Sequence, residues 1–287
     1  MLHLYSKGLL CIAILLICSL QPFEGLAQED LSAEMVIFAP GLISLDSIRE
    51  TSPSVTADGK TLVFARTESW KPKVPYIARY GNEQWQVEHL NITDTLYNLS
   101  ITPDGQHIIF KKYEMSGEEE VSKAYVVDRQ GDGWSEPTEV NNLYNTNAGY
   151  FNPQPDGSLY FYARAPRPGI YYSKPDEQDI YTRPQWLSDA VSPEGTTSFD
   201  VLVHPEGDQL IITRAGKLEG ENADLAPRGY YYYQRTDQGW EEVKRLPLPY
   251  GWGATVLPDG RFLFVEEGDL QTVRLSELGI QWNEYGR

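Results

Sequence analysis

Five short, continuously apolar runs recur along the chain: Leu62-Val63-Phe64, Ile108-Ile109-Phe110, Leu159-Tyr160-Phe161, Leu210-Ile211-Ile212 and Phe262-Leu263-Phe264. Each follows a polar turn phrase. These are Thr56-Ala57-Asp58-Gly59, Thr102-Pro103-Asp104-Gly105, Gln154-Pro155-Asp156-Gly157, His204-Pro205-Glu206-Gly207 and Leu257-Pro258-Asp259-Gly260. The acidic positions 58, 104, 156, 206 and 259 are 46, 52, 50 and 53 residues apart. Proline presets φ, aspartate bonds its own backbone and glycine takes positive φ, so each phrase is a turn joining two strands. A strand with no polar alternation is one covered on both faces.

A more mixed segment follows about 15–20 residues after each apolar run, as in Tyr76-Ile77-Ala78, Ala124 to Val127, Gly169 to Tyr172 and Tyr230 to Tyr233. A tryptophan then opens a fourth segment at Trp85, Trp134, Trp186 and Trp240. These last segments alternate, as in Gln84-Trp85-Gln86-Val87-Glu88, and read as half-solvated. Four strands per unit, with buried inner strands and a wet outer one, predict the blade of an all-β propeller. Helical spacing is not sustained beyond the first residues, which removes parallel α/β folds. A β-sandwich would leave the period of about fifty unexplained.

Five turns predict five four-stranded blades, with six as the alternative. Only 28 residues follow Asp259, so the last blade runs short. The segment Glu34 to Pro40 carries no turn of its own and is expected to supply that blade's outer strand, closing the ring and removing an exposed edge. Trp282 leaves a second option, a native fourth strand that the N-terminal segment extends.

The residues resemble a known family at this point. Pro-Asp-Gly before an apolar strand, repeated at this period, is similar to the WD40-like propeller repeat of TolB-like bacterial proteins, over roughly residues 36–275. Phe38 to Ser44 resembles the first strand of exported members, and Asn142 to Thr146 before Tyr150-Phe151-Asn152-Pro153 resembles their inter-blade link. The resemblance implies fold and export and says little of activity. TolB-like propellers usually have six blades, so a count of five departs from them.

Composition narrows the partners. The 287 residues carry 24 Lys and Arg against 41 Asp and Glu, a net charge of −17. Nucleic acid and anionic membrane surfaces need a basic footprint and are not expected partners. Residues 1–27 read as a signal peptide, leaving 28–287 as one propeller domain. Lys7 precedes a 13-residue apolar run, Gly8 to Leu20, and Gly25-Leu26-Ala27 offers the small residues of a cleavage site. A bilayer span needs roughly 20 apolar residues, so no membrane insertion is expected after cleavage. The expected address is exported, periplasmic or secreted. Both cysteines, Cys11 and Cys18, lie in the signal, so the mature chain has no disulfide or thiolate chemistry. A monomer is expected.

Inner-strand starts and second-strand ends lie on the face opposite the turns. Topology is therefore expected to gather Glu50, Tyr97, Asn98, Tyr150, Asn152, Asp200 and Trp252 with Arg66, Lys112, Arg164, Arg214 and Glu266 at the channel mouth, Trp70 and Tyr113 adjoining. Cations, carboxylates and aromatics together describe a ligand pocket. Trp252, flanked by Gly251 and Gly253, is expected to touch the channel or a ligand.

Catalytic signatures are sparse. No Gly-x-Ser-x-Gly elbow and no Ser-x-Asp-x-Gly-x-x-Trp box occurs. His89, His107 and His204 fall in different blades, so neither a metal nor a cofactor is expected. Asp128 to Gly133 lacks the bidentate glutamate of a calcium loop. The leading expectation is a non-catalytic propeller binding a protein or carbohydrate ligand on the face opposite the turns. The alternative is a glycoside hydrolase-like enzyme using Glu50, Asp200 and Glu266, which needs two carboxylates about 5–9.5 Å apart.

Overall fold

The structure, a computed structural model, describes residues 33–69, 72–116, 119–140, 143, 147–177, 181–216 and 227–282. The signal at 1–27, Trp70 and all of the 142–146 link except Leu143 lie outside the described residues. Among the described residues no helix is long and apolar enough to cross a membrane.

Five antiparallel sheets form the five blades of a propeller. Blade 1 comprises β2 (Arg49–Val55), β3 (Thr61–Thr67), β4 (Val74–Gly81) and β5 (Gln84–His89). Blade 2 comprises β6 (Tyr97–Ile101), β7 (His107–Ser116), β8 (Glu119–Gln130) and β10 (Thr138–Glu139), with β9 (Gly133–Trp134) also paired to β8. Blade 3 holds β11 (Gly149–Pro153), β12 (Leu159–Ala163), β13 (Gly169–Ser173) and β14 (Gln185–Trp186). Blade 4 holds β15 (Thr197–Val203), β16 (Gln209–Ala215), β17 (Gly229–Thr236) and β18 (Gly239–Arg245). Blade 5 holds β19 (Trp252–Val256), β20 (Arg261–Glu266) and β21 (Asp269–Arg274).

The N-terminal strand β1 (Val36–Ile37) completes blade 5, pairing Val36 with Thr272 and Ile37 with Gln271. The Phe38 N–H continues the ladder to the Leu270 carbonyl at 2.8 Å. Trp282 itself lies in no strand, and residues 283–287 after it lie outside the described residues. Trp282 follows the 3-10 turn Leu275–Leu278 and meets His204 edge to face, 5.2 Å between ring centroids.

Strand alternation puts the core between the blades. Leu62 and Phe64 pack toward blade 5, whereas Val63 and Ala65 pack toward blade 2. The same split recurs at each blade and gives five apolar layers, one per seam. Tyr230 and Tyr232 enter the blade 4–5 layer while Tyr231 and Tyr233 enter the blade 3–4 layer. Phe64, Phe110, Phe161 and Phe264 occupy one register position and are fully buried, each worth ~1.5–3 kcal/mol. No disulfide is needed at this size.

The turn phrases form as the residue types dictate. The Asp58 carboxylate accepts the Thr56 hydroxyl at 2.7 Å and the Lys60 N–H at 3.0 Å, and Gly59 takes φ +69°. Turn length varies by one residue. The closing backbone bonds run from Thr56, Thr102 and His204 to the fifth residue on, but from Gln154 and Leu257 to the fourth. This shift decides which side chains share a register at the far ends of the second strands.

Candidate functional site

All five inner strands carry an irregularity at the same place. Ser52, Asn98, Tyr150, Asp200 and Gly253 have φ of 54°, 50°, 55°, 55° and 62°, each six residues before its turn acid. The strand registers slip there, between Thr51 and Ser54 in blade 1 and at the matching pairs elsewhere. Left-handed backbone suits Asn, Asp and Gly; a tyrosine adopts it only where its surroundings impose it. The five bulges ring a cavity of about 30 Å³ on the propeller axis, room for about two waters.

Polar side chains stitch the inner strands together around that ring. Ser54 Oγ accepts the Ile101 N–H at 3.1 Å, Asn152 Oδ1 accepts the Val203 N–H at 2.9 Å and Asp200 Oδ2 accepts the Ala254 N–H at 3.0 Å. Asn152 therefore braces blade 4. Asp200 is buried, and burial pushes its carboxyl up to about 7 against the bonds from Ala254, Thr213 and Gly253.

Several expected mouth residues stand elsewhere. Glu50 is fully buried with Arg66 Nε 3.4 Å away, and both belong to the blade 5–1 seam. Arg66 also donates to the Leu42 and Ile43 carbonyls at 2.7 and 3.0 Å and lies 4.7 Å over the Tyr76 ring. Burial raises Glu50 to about 7, with Arg66 opposing. Arg214, 1% exposed, donates to Glu242 at 3.2 Å and to the Tyr233 hydroxyl, and lies 4.0 Å over Tyr231. Lys112 lies 5.5 Å over Tyr125. Register explains these placements: Arg66, Lys112, Arg214 and Glu266 occupy one position, whose side chains turn to the preceding blade. The short blade 3 turn puts Ala163 there, so Arg164 lies one residue past β12 and is exposed.

A different group gathers on the face opposite the turns. Tyr97 and Tyr113 meet edge to face at 4.9 Å. Lys73 Nζ lies 5.3 Å from the Tyr97 ring centroid and Lys111 Nζ 4.8 Å from that of Tyr113. Lys111 donates to Asn147 Oδ1 at 3.0 Å. A Cβ on Gly149 would stand 2.7 Å from Asn98 Oδ1 and 3.5 Å from Lys111 Cδ, so glycine there lets both side chains lie over the strand. Asn98 hydrogen-bonds Tyr150, whose ring is 4.8 Å from Phe199 and whose hydroxyl burial holds well above its ordinary pKa. Burial lowers Lys73, and burial with Arg164 nearby lowers Lys111 to about 8. Across the mouth Arg228 lies 5.0 Å over Tyr250, which is 6.4 Å from Trp252. Trp252 is half-buried beside this rim. Its flanking glycines serve the backbone: a Cβ at Gly251 would meet the Val265 carbonyl at 2.0 Å, and Gly253 makes the bulge.

The turn-bearing face holds a groove of about 1050 Å³ between blades 2 and 3, with Ile109, Val126 and Tyr181 in its walls. Its charges are already engaged. Asp104 accepts from Thr102, Asp128 pairs with His107 at 2.7 Å and Glu139 pairs with Lys123 at 2.9 Å. His204, Glu206 and Asp208 bring ligand-type atoms within 4.8 Å, but His204 Nδ1 is held by Asp208 and the Glu206 N–H inside the turn.

No protein-family model matches the chain, and no curated protein matches it. Solved structures do. A glycoside hydrolase is 11% identical with a TM-score of 0.52, over 89% of this chain and 93% of that one. A mannose phosphorylase from Leishmania mexicana, in complex with phosphate ion, is 13% identical with a TM-score of 0.50, over 88% and 93%. A TolB-like protein from Agrobacterium tumefaciens is 17% identical with a TM-score of 0.47, over 77% and 69%. The shared feature is the propeller. At such identities the likeness is one of fold, and function has to come from the site.

Sequence reasoning missed Lys73, Lys111, Asn147, Arg228 and Tyr250. Lys111 had a signal: it pairs across the ladder with Tyr97, already a candidate. The bulge ring also had one, the recurrence of Ser, Asn, Tyr, Asp and Gly six residues before each turn acid.

Proposed function

We propose that this chain is an exported, non-catalytic propeller that binds a protein or glycan partner at the mouth opposite its turns. The observation that carries the reading is the tyrosine pair Tyr97–Tyr113 bracketed by Lys73 and Lys111. Aromatic rings with adjacent cations make anchoring surfaces for partners. The groove on the turn face has more room, but its named charges are spent on intramolecular bonds. Glu50, sealed beside Arg66, weighs against a two-carboxylate glycosidase built with Asp200 and Glu266. The signal-like residues 1–27 support export.

The test is a glycan-array screen and envelope-protein pull-down of the mature chain, with sugar hydrolysis followed in parallel. Specific binding without turnover supports the reading, and turnover of a glycoside contradicts it. Mass spectrometry of the mature N-terminus checks export: a chain starting at residue 28 is expected, and an intact Met1 contradicts it.

A further inference from the structure

The chain is strongly acidic, yet four cations stand on its mouth face. Lys73 comes from blade 1, Lys111 from blade 2, Arg164 follows blade 3 and Arg228 precedes β17 of blade 4. Among the described residues none of the four has an ion-pair partner. Of the other basic groups, some are paired, as Arg66 with Glu50, Arg79 with Glu88, Lys123 with Glu139 and Arg261 with Asp259, and others, such as Lys60, Arg235 and Arg274, are exposed to water. What distinguishes Lys73 and Lys111 is that both are half-buried without an ion pair among the described residues, on the face that also carries Arg164 and Arg228.

Half-burial makes the charges of Lys73 and Lys111 costly. Lys73 and Lys111 lose hydration while the charge of Arg164 opposes that of Lys111, and a desolvated cation is stabilised when an anion joins it. The nearby groups narrow which anion. Tyr97 and Tyr113 offer ring surface on which sugar C–H faces stack, and the Asn98 and Asn147 amides offer hydrogen bonds to hydroxyls.

We infer that the mouth binds an acidic saccharide, with its carboxylates beside Lys111 and Arg164 and its rings against Tyr97 and Tyr113. This rests on the reading that the mouth is the binding face, and it adds the ligand's charge class.

The test is calorimetric titration of the mature chain with oligomers of glucuronate, galacturonate and mannuronate, with their carboxyl-reduced neutral counterparts, and with inorganic phosphate. At least one uronate oligomer is expected to bind, its neutral counterpart about tenfold or more weaker. Lys111→Met, which keeps the aliphatic stem over Gly149, and Arg164→Gln, at an exposed site, are each expected to lose about tenfold in affinity with melting temperature unchanged. Arg164→Gln keeps the test decisive if Lys111→Met folds poorly. Equal binding of the neutral oligomers, lost on Tyr113→Ala, overturns the acidic inference and leaves the mouth reading intact. Uronate binding indifferent to Lys111→Met, Arg164→Gln and Tyr113→Ala overturns both. Absence of binding by every uronate oligomer, or phosphate competing at equal concentration, overturns the inference.

Discussion

Across the seam between blades 4 and 5, Asp200 accepts the backbone N–H of Ala254 at 3.0 Å. A single carboxylate thus bonds the inner strands of two blades, from a left-handed bulge and with no cation beside it among the described residues. Burial moves its pKa from 3.8 to about 7. Below pH ~4 both folded and unfolded forms are protonated. Between pH ~4 and ~7 the unfolded carboxyl ionises while the folded one keeps its proton, so stability falls as pH rises, by on the order of 4 kcal/mol, and levels off above. Asp200→Asn loses one acceptor at every pH but removes that slope. Denaturant melts of both proteins at pH 5 and pH 8 are expected to show the variant gaining on the wild type at pH 8. A gap that is constant with pH contradicts the assignment.

The Glu50–Arg66 pair closes the blade 5–1 seam, and Arg66 ties down the carbonyls of Leu42 and Ile43. Arg66→Met leaves a buried carboxylate without its cation and is expected to destabilise by ~3–5 kcal/mol. Glu50→Gln together with Arg66→Met is expected to recover much of that loss. Equilibrium unfolding of the single and double variants checks it, and a double variant as weak as Arg66→Met would show that the lost carbonyl bonds, not the charge, dominate.

Asn152 was expected at the ligand site, but its amide oxygen holds the Val203 N–H at 2.9 Å. Asn152→Ala orphans that N–H and is expected to lower stability by ~1–3 kcal/mol. Thermal melting reads the loss; an unchanged melting temperature would return Asn152 to the list of free ligand contacts.

Gly251 admits no side chain, because a Cβ would lie 2.0 Å from the Val265 carbonyl and 2.8 Å from the Tyr230 hydroxyl. Gly251→Ala is expected to cost ~1–3 kcal/mol or more through overpacking. Gly41 has positive φ but open space, so Gly41→Ala measures the backbone effect alone. Similar losses in the two variants would contradict a steric role for Gly251.

The blades and their closure were legible because turn chemistry and buried runs repeat at one period, and because Val36–Ile37 had no turn to pair with locally. The site was less legible for two reasons. Neighbouring residues on a strand face opposite seams, so Lys112 lies over Tyr125 while Lys111 reaches Asn147. A turn one residue shorter then carries Arg164 past the position that Arg66 and Arg214 occupy. Both errors are single-residue shifts, which turn length and bulges impose and period alone does not reveal.

The most direct test of the binding face compares three proteins on one glycan array: the wild type, Tyr113→Ala at the mouth and Pro155→Arg at the rim of the opposite groove. Tyr113 is 40% exposed, and blade 1 already carries Ala57 in the turn slot of Pro155, so both variants are expected to fold. The account predicts that Tyr113→Ala loses about tenfold or more of the array signal, while Pro155→Arg keeps it. Loss of signal in Pro155→Arg, with Tyr113→Ala unaffected, would place the binding face on the turn side and contradict the account.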